Sequence, residues 1–553
     1  MINIKIQKDT IMNILKIKNI YAVMGLIFSL MFTFSCKEDD HYDPNTSVIS
    51  DKTLMELINE NSNLSKFGEL LKKVKYDEIV NSDESFTVWV PDNKYMEGIN
   101  LTDDKEILRF VKNHIARFIH NASGSKNETV YMLNTKLIKF TGNTNAYEFG
   151  NVKLEQPNIV ARNGVMHIIE GRVDFTPNLW EKMEAPQFDS IRNYLYPQTS
   201  MEFDQDASSI IDYNEEGMAV YDSVFVEKNS FWEPYSMGMG IQAREFPLLF
   251  FRGGFSTIND EDSTFTMLIP TNKAWLEAYD RVSQYFVSNA LQNPDSIQRY
   301  YTCFAMVQDL VFRGNVSPEA NNTIESTRLA IFPEPSYLVE GSQREKVSNG
   351  WAYALDQFRI KPEESWFKPI KVEAEHSYTR VAPPTNIGDV QIRVTENSSV
   401  SGNLYLYVTA TGGGSPIDTT YVEFLLPNTL SATYNIYCMF APDKESNPVP
   451  KKTKIIYKMY QMDRETKEWK GIRSGGVFDE AFIRPTGTEG DIHATEFTKF
   501  LLYENFEFPY AYINEDQIPI KIRIQTNVKL PPELGSYVNR MSIDYLILEP
   551  VHN

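Results

Sequence analysis

Apolar positions along the chain change rhythm twice. Leu54, Ile58, Leu64, Phe67, Leu70 and Leu71 recur at helical spacing, as do Leu108, Val111 and Ile115. Between such stretches lie two alternating runs, Ser85 to Pro91 and Ser263 to Pro270. Each predicts a strand that stops at proline and then offers Asp92-Asn93 or Thr271-Asn272 to cap a following helix. From about residue 370 the apolar runs become short and alternating: Val390–Val394, Leu404–Val408, Ile455–Tyr460 and Ile518–Ile524. Gly412-Gly413-Gly414-Ser415-Pro416 and Asn447-Pro448 supply turns among them. Mixed helix and strand over the first two thirds, then an all-β sandwich, is the architecture this rhythm predicts.

The two alternating runs belong to an internal repeat. Phe86-Thr87-Val88-Trp89-Val90-Pro91-Asp92-Asn93-Lys94-Tyr95 returns as Phe265-Thr266-Met267-Leu268-Ile269-Pro270-Thr271-Asn272-Lys273, ending in Trp275. A second block, Asn163-Gly164-Val165-Met166-His167-Ile168-Ile169-Glu170, returns as Asn349-Gly350-Trp351-Ala352-Tyr353-Ala354-Leu355-Asp356. Asn-Gly between extended runs predicts a tight turn with positive φ at its centre. Phe86 and Asn163 lie 77 residues apart, Phe265 and Asn349 lie 84 apart, so order and distance are both kept.

Both blocks resemble the two signatures of the fasciclin domain, the second copy departing where Tyr353 replaces His167. The resemblance implies a multidomain chain of two α+β fasciclin-like domains, residues 50–183 and 184–370, followed by an all-β jelly-roll sandwich over 371–553. Domain two carries an insertion near 199–260. Its acidic cluster around Asp212 to Gly217 lacks regular calcium-loop spacing and reads as a solvated turn. The alternating Met218 to Val226 predicts a hairpin strand.

The last third opens with Val372-Glu373-Ala374-Glu375 and closes with Ile543-Asp544-Tyr545-Leu546-Ile547-Leu548. Those ends resemble galactose-binding-like carbohydrate-binding modules. The resemblance implies a structural calcium held by Glu373 and Glu375, which a strand would project to one face, together with Asp544. An edge pair facing solvent or a basic side chain is the alternative. Trp469, in the charged stretch Asp463 to Lys470, is the candidate for stacking on a sugar, or else a half-buried turn aromatic.

The N-terminus supplies an address. Lys16 and Lys18 precede the uncharged run Ile20 to Phe34, then Ser35 and Cys36. Its 15 residues are short for a spanning helix. The layout resembles a bacterial lipoprotein signal over 1–35, with Cys36 the lipidated residue. Lys37, Glu38, Asp39 and Asp40 resemble a surface-export signal opening an acidic tether over 36–49. Losing Lys5, Lys8, Lys16, Lys18 and Asp9 with the leader moves the net charge from −20 to −23. So acidic a body excludes a nucleic-acid partner, whose phosphates need basic neutralisation. Cys303 and Cys438 sit in apolar runs and read as buried thiols.

No nucleophile elbow, H-E-x-x-H pair, phosphate loop or dinucleotide fingerprint occurs, and His167 reads as a hydrogen-bonded core histidine. The expectation is a non-enzymatic lipoprotein of the outer membrane, facing the exterior. It would serve adhesion or glycan binding, accessory to a nutrient importer that takes up polysaccharide. The alternative is a scaffold subunit of that importer with no sugar contact.

Overall fold

The computed structural model describes residues 50–97, 103–213, 217–229, 258–381, 389–409, 420–442, 452–484, 491–493, 495–513, 517–528 and 536–552. Cys36 and Lys37, Glu38, Asp39 and Asp40 lie outside them. The chain forms two compact units. One runs to Asn134 and resumes over Ile138–Asp174, and the other holds Thr135–Leu137 and everything from Phe175.

In the first unit short helices pack on one sheet. Helix α1 (Leu54–Glu60) starts with a reciprocal cap: Glu56 N–H donates to Thr53 Oγ1, and Thr53 N–H donates to the Glu56 carboxylate. Helices α2 (Ser65–Lys73) and α3 (Asp104–Lys112) bury Phe67, Leu70 and Leu71, and Ile107, Phe110 and Val111. The strands are β1 (Phe86–Pro91), β2 (Ile115–Arg117), β3 (Lys126–Tyr131), β4 (Leu137–Asn143), β5 (Ala146–Phe149), β6 (Val152–Ala161) and β7 (Gly164–Ile169), ordered β2-β1-β7-β6-β5-β4-β3. Every residue of β1 and β7 is buried, because the sheet is covered on both faces. Phe86, Val88 and Val90 join the helices. Trp89 faces the other way and stacks on Phe149 at 4.0 Å.

The repeated asparagines do the same work in both copies. Strands β1 and β7 pair in parallel with Phe86 opposite Gly164. Asn163 is buried: its Oδ1 accepts the Leu54 N–H at the start of α1, and its Nδ2 donates to the Val80 and Ser82 carbonyls. Asn93, after β1, accepts from Lys66 N–H at the start of α2 and donates to Ser62 O. In the second unit β10 (Phe265–Pro270) and β15 (Gly350–Leu355) pair in parallel with Phe265 opposite Gly350. Asn349 accepts from Leu179 N–H and donates to Ile258 O and Asp260 O. Asn272 accepts from Ser190 N–H, in the first turn of α4 (Asp189–Leu195).

Two expectations change. The tight turn read from Asn-Gly puts no positive φ on either asparagine. The glycines are needed instead because a Cβ at Gly164 or Gly350 would collide with the Phe86 or Phe265 carbonyl oxygen across the parallel pair. The helix expected after Asp92 is a single 3₁₀ turn (Asn93–Tyr95), whereas after Thr271 a full helix α5 (Asn272–Val282) follows.

Beyond α5 and α6 (Pro294–Val307), the second copy closes a four-stranded sheet, β11-β10-β15-β14, with β11 (Val311–Arg313) and β14 (Arg344–Val347). Strands β12 (Thr323–Glu325) and β13 (Ile331–Pro333) form a separate ribbon. Within the insertion β8 (Thr199–Tyr213) and β9 (Ala219–Asn229) make a long two-stranded hairpin, which contains the predicted strand.

The last third is a sandwich of two six-stranded sheets. One holds β16 (Ile370–Glu373), β18 (Asp389–Val394), β19 (Leu404–Thr409), β21 (Thr433–Phe440), β25 (Thr498–Glu507) and β27 (Arg540–Pro550). The other holds β17 (Arg380–Val381), β20 (Tyr421–Leu425), β22 (Thr453–Met462), β23 (Trp469–Ile472), β24 (Asp491–Ile492) and β26 (Ile520–Thr526). One apolar cluster runs from the second copy into this sandwich. Phe367 bridges it, edge-on to Tyr285 at 5.1 Å and to Tyr434 at 5.4 Å, and Ser431 N–H donates to Tyr285 O at 2.8 Å. Cys303 and Cys438 are buried free thiols within that cluster.

His167 is a core histidine. Nδ1 accepts from Asn158 N–H at 3.1 Å, Nε2 lies 2.9 Å from His120 O, and burial pushes its pKa down to about 4. His114, on Phe110 O and Val173 N–H, is pushed down to about 4 in the same way. Lowered folded values mean that the unfolded chain takes up these protons first. Stability of the first unit should therefore fall as pH drops from 6.5 towards 4, by about 3 kcal/mol per histidine at most. Histidine ring resonances that titrate near 4 rather than 6.5 would verify it. Asn163→Ala and Asn349→Ala strand three backbone groups each, and each should cost about 3 kcal/mol in urea unfolding.

Candidate functional site

The sequence candidates fall in two places on the sandwich. Trp469 opens β23, opposite Met462 of β22, at the end of a hairpin turn shaped by Asp463, whose Oδ1 accepts the Glu465 and Thr466 N–H groups. Lys470 closes the turn on Asp463 at 2.6 Å and holds its carboxyl well below the usual range. Trp469 is half-buried, and Lys521 Nζ lies 4.2 Å from its ring centroid, covering one face.

Around Trp469 the strand register builds a polar face. Alternation in β26 sends Ile520, Ile522 and Ile524 into the core and Lys521, Arg523 and Gln525 to the other side. Glu423 of β20 sits opposite Arg523, and Tyr460 and Lys458 of β22 sit opposite Lys521 and Arg523. The Glu423 carboxylate accepts from Lys521 Nζ at 2.7 Å and from Arg523 Nε at 2.7 Å. The Arg523 guanidinium lies 4.1 Å from the Tyr421 ring. Glu423 is 5% exposed and Lys521 4%, so these charges are desolvated and hold one another. Burial lowers the Lys521 pKa, against the pull of Glu423. Gly471, opposite Tyr460, leaves room for the Lys458 stem, which a Cβ would strike, and Lys458 pairs with Glu480 at 2.7 Å. The face thus lines up buried aromatic rings beside buried, paired charges, with half-buried Trp469 and Arg523 its more accessible members.

Glu423, Lys521, Arg523, Tyr421 and Tyr460 were not among the sequence candidates. The Ile-Lys-Ile-Arg-Ile-Gln alternation of β26 carries the signal for two of them, since a strand with one apolar face must line up its polar residues on the other.

Glu373, Glu375 and Asp544 are brought into one neighbourhood. Strand β16 pairs with β27, Glu373 opposite Tyr545, but it ends at Glu373, leaving Glu375 in a turn. Asp544 is fully buried and accepts the Ser401 N–H at 3.1 Å, while Ser401 Oγ donates to Glu373 at 2.8 Å. Oε2 of Glu373 and of Glu375 are buried with no hydrogen-bond partner. Lys371 Nζ lies 2.7 Å from Glu373 and 4.1 Å from the Tyr545 ring centroid. Lys371 thus sets a positive charge beside Glu373, one of the residues to which the terminal motifs implied calcium. Among the described residues no group of three or more His, Cys, Asp or Glu side chains is placed to hold a metal ion. Burial, with the charges of Glu373 and Glu375 adding, pushes Asp544 up to about 7.

Residues 62–172, within the first α+β domain, match the fasciclin domain. No curated protein matches the chain. Among solved structures, a fasciclin domain pair from the insect cell adhesion molecule Fasciclin I is 13% identical, with TM-score 0.21, over 55% of this chain and 99% of that one. A family 35 carbohydrate-binding module from Clostridium thermocellum is 16% identical, with TM-score 0.16, over 32% of this chain and 98% of that one. A carbohydrate-binding module described for specific mannan recognition is 12% identical, with TM-score 0.18, over 34% and 99%.

Because its folded value is raised, Asp544 stabilises the fold at low pH and loses that contribution as pH rises from 3.8 through 7. Asp544→Asn keeps an acceptor for Ser401 and should be more stable than the parent at about pH 8, but not at about pH 4, in chemical denaturation. Glu423→Ala leaves buried Lys521 and half-buried Arg523 without their counter-charge and should cost about 3 kcal/mol in the same measurement.

Proposed function

We propose that this chain is a non-enzymatic surface protein that binds glycan, and that its second α+β copy is also a fasciclin domain. The observation that carries the glycan reading is half-buried Trp469 on the second sandwich sheet. Trp469 lies at the rim of a row in which Tyr421, Tyr460, Glu423, Lys521 and Arg523 share one side. A sugar ring presents an apolar face to an aromatic ring and hydroxyls to charged neighbours, and Trp469 and Arg523, the partly exposed members of this row, supply both. The fasciclin domain at 62–172 supports an adhesive, binding role. The duplicated parallel pairing and asparagine caps support the second fasciclin assignment.

Residence at the outer membrane, facing outward through a lipid on Cys36, completes the proposal, with accessory service to a polysaccharide importer. Among the described residues no helix is long and apolar enough to cross a membrane.

A scaffold role is the second reading, favoured by the β8–β9 hairpin. It carries the exposed side chains Met201, Phe203 and Phe225, the two rings meeting at 6.0 Å. A two-stranded ribbon with apolar side chains outward is suited to packing on another protein.

Affinity electrophoresis of the full chain through a panel of polysaccharides separates the two. Retardation by at least one polysaccharide, weakened at least about tenfold by Trp469→Ala, is the expected result. No retardation, with co-purification of a membrane partner lost on Phe203→Ser plus Phe225→Ser, would favour the scaffold.

A further inference from the structure

Strand β18 closes one end of its sandwich sheet, and among the described residues it pairs with β19 alone. The pairing is regular over all six residues, Asp389 to Val394, with no bulge. At the other end of that sheet β25 meets β21 with two register shifts and carries Lys499, Glu504 and Glu507. Bulges, lysines and prolines keep a free sheet edge from pairing with another chain, and β18 has none of them.

Opposite residues of an antiparallel pair share a face, so Val390 and Ile392, across from Val408 and Leu406, lie on the inner, apolar side of the sheet. Ile392 is nonetheless 52% exposed, and Val394, two residues on, is 78% exposed. Thr395 N–H donates to Asn403 O at 2.9 Å, which turns the Thr395 backbone towards β19. By alternation Asp389, Gln391 and Arg393 also bond towards β19. The N–H and C=O groups of Val390, Ile392 and Val394 then point off the open edge. The strand is also complementary to itself in reverse. Turned about a twofold axis at Gln391, Asp389 comes opposite Arg393 and Val390 opposite Ile392. Opposite charges meet, apolar side chains meet, and the backbone groups brought together at Val390 and Ile392 are the ones that point outward.

We propose that β18 pairs antiparallel with β18 of a second copy of this chain, joining two sheets into one across a twofold axis. Both charged side chains keep their present contacts, Arg393 over the Tyr407 ring at 3.4 Å and Asp389 on Gln391 Nε2 at 2.7 Å. The second copy adds an opposite charge beside each. An unrelated strand has no reason to match Asp389 and Arg393 in order, whereas the same strand reversed does so by symmetry. Six residues a side is small against the roughly 800 Å² per partner of a standard interface, so the dimer is weak, with a dissociation constant of about 10–100 μM. Trp469 lies on the other sheet, so this contact and the glycan reading stand or fall separately.

Sedimentation equilibrium of the full chain, from about 1 μM to about 500 μM, tests it, and the mass should rise from one chain towards two. Asp389→Arg brings two positive charges face to face and Arg393→Asp two negative ones, so each variant alone should associate at least about tenfold more weakly. Mixed in equal amounts the two should regain the dimer, because each chain then meets its opposite charge. That recovery also shows that both variants fold. Ile392→Lys sits on an exposed position and leaves the Tyr407 contact alone, so it should melt as the parent does and associate at least about tenfold more weakly. Trp469→Ala should associate as the parent does. A single-chain mass up to about 500 μM overturns the proposal. So does a dimer indifferent to Ile392→Lys and to both charge variants, or a mixture that associates no better than its parts.

Discussion

In each α+β copy one buried carboxamide ties together three stretches of chain that are distant in sequence. Asn163 joins the start of α1 to the segment that leads into β1, and it does so from the first turn before β7. Its neighbour Gly164 lets β7 come close enough to β1 for the parallel pair to form. Parallel strands have no short connection to hold them in register, so something else must set it. Here the side chain and the missing Cβ set it together. Asn349 and Gly350 repeat the arrangement, and the helices and the double-sided packing of β1 are assembled around it.

The copies then diverge in what they build on that frame. The first extends its sheet to seven strands and packs Trp89, Phe140, Phe149 and His167 beneath it. The second stops at four and continues its apolar cluster into the sandwich through Phe367. A continuous core makes the α+β copy and sandwich one mechanical body. That is why a polar pocket at their seam, lined by Asp309, Arg328 and Asn428, can have fixed walls.

Much of this was legible in the chain. The repeat at 77 and 84 residues, the strand-proline-asparagine units and the alternating strands of the last third all foretold elements that formed. Those signals are local, and local spacing is what a sequence displays. Asn163 was read as a turn residue and does sit in the turn between β6 and β7, but its bonding was hidden because its partners, Leu54 and Val80, are about a hundred residues away. Glu375 was assigned to a strand that ends two residues earlier. Around Trp469 the one visible aromatic was found, but Glu423, about fifty residues upstream, and Lys521, as far downstream, were not.

The sequence by itself determined the element types, the duplication and which residues are apolar enough to form a core. These follow from periodicity and backbone preference, which act over a few residues at a time. Tertiary structure alone placed Lys371 against Glu373. It alone joined Glu423 to Lys521 and Arg523 beside Trp469, and left the Asn428 acceptor without a donor. The physical reason is that charge pairing and hydrogen-bond satisfaction depend on distances across strands, and those exist only once the register is set.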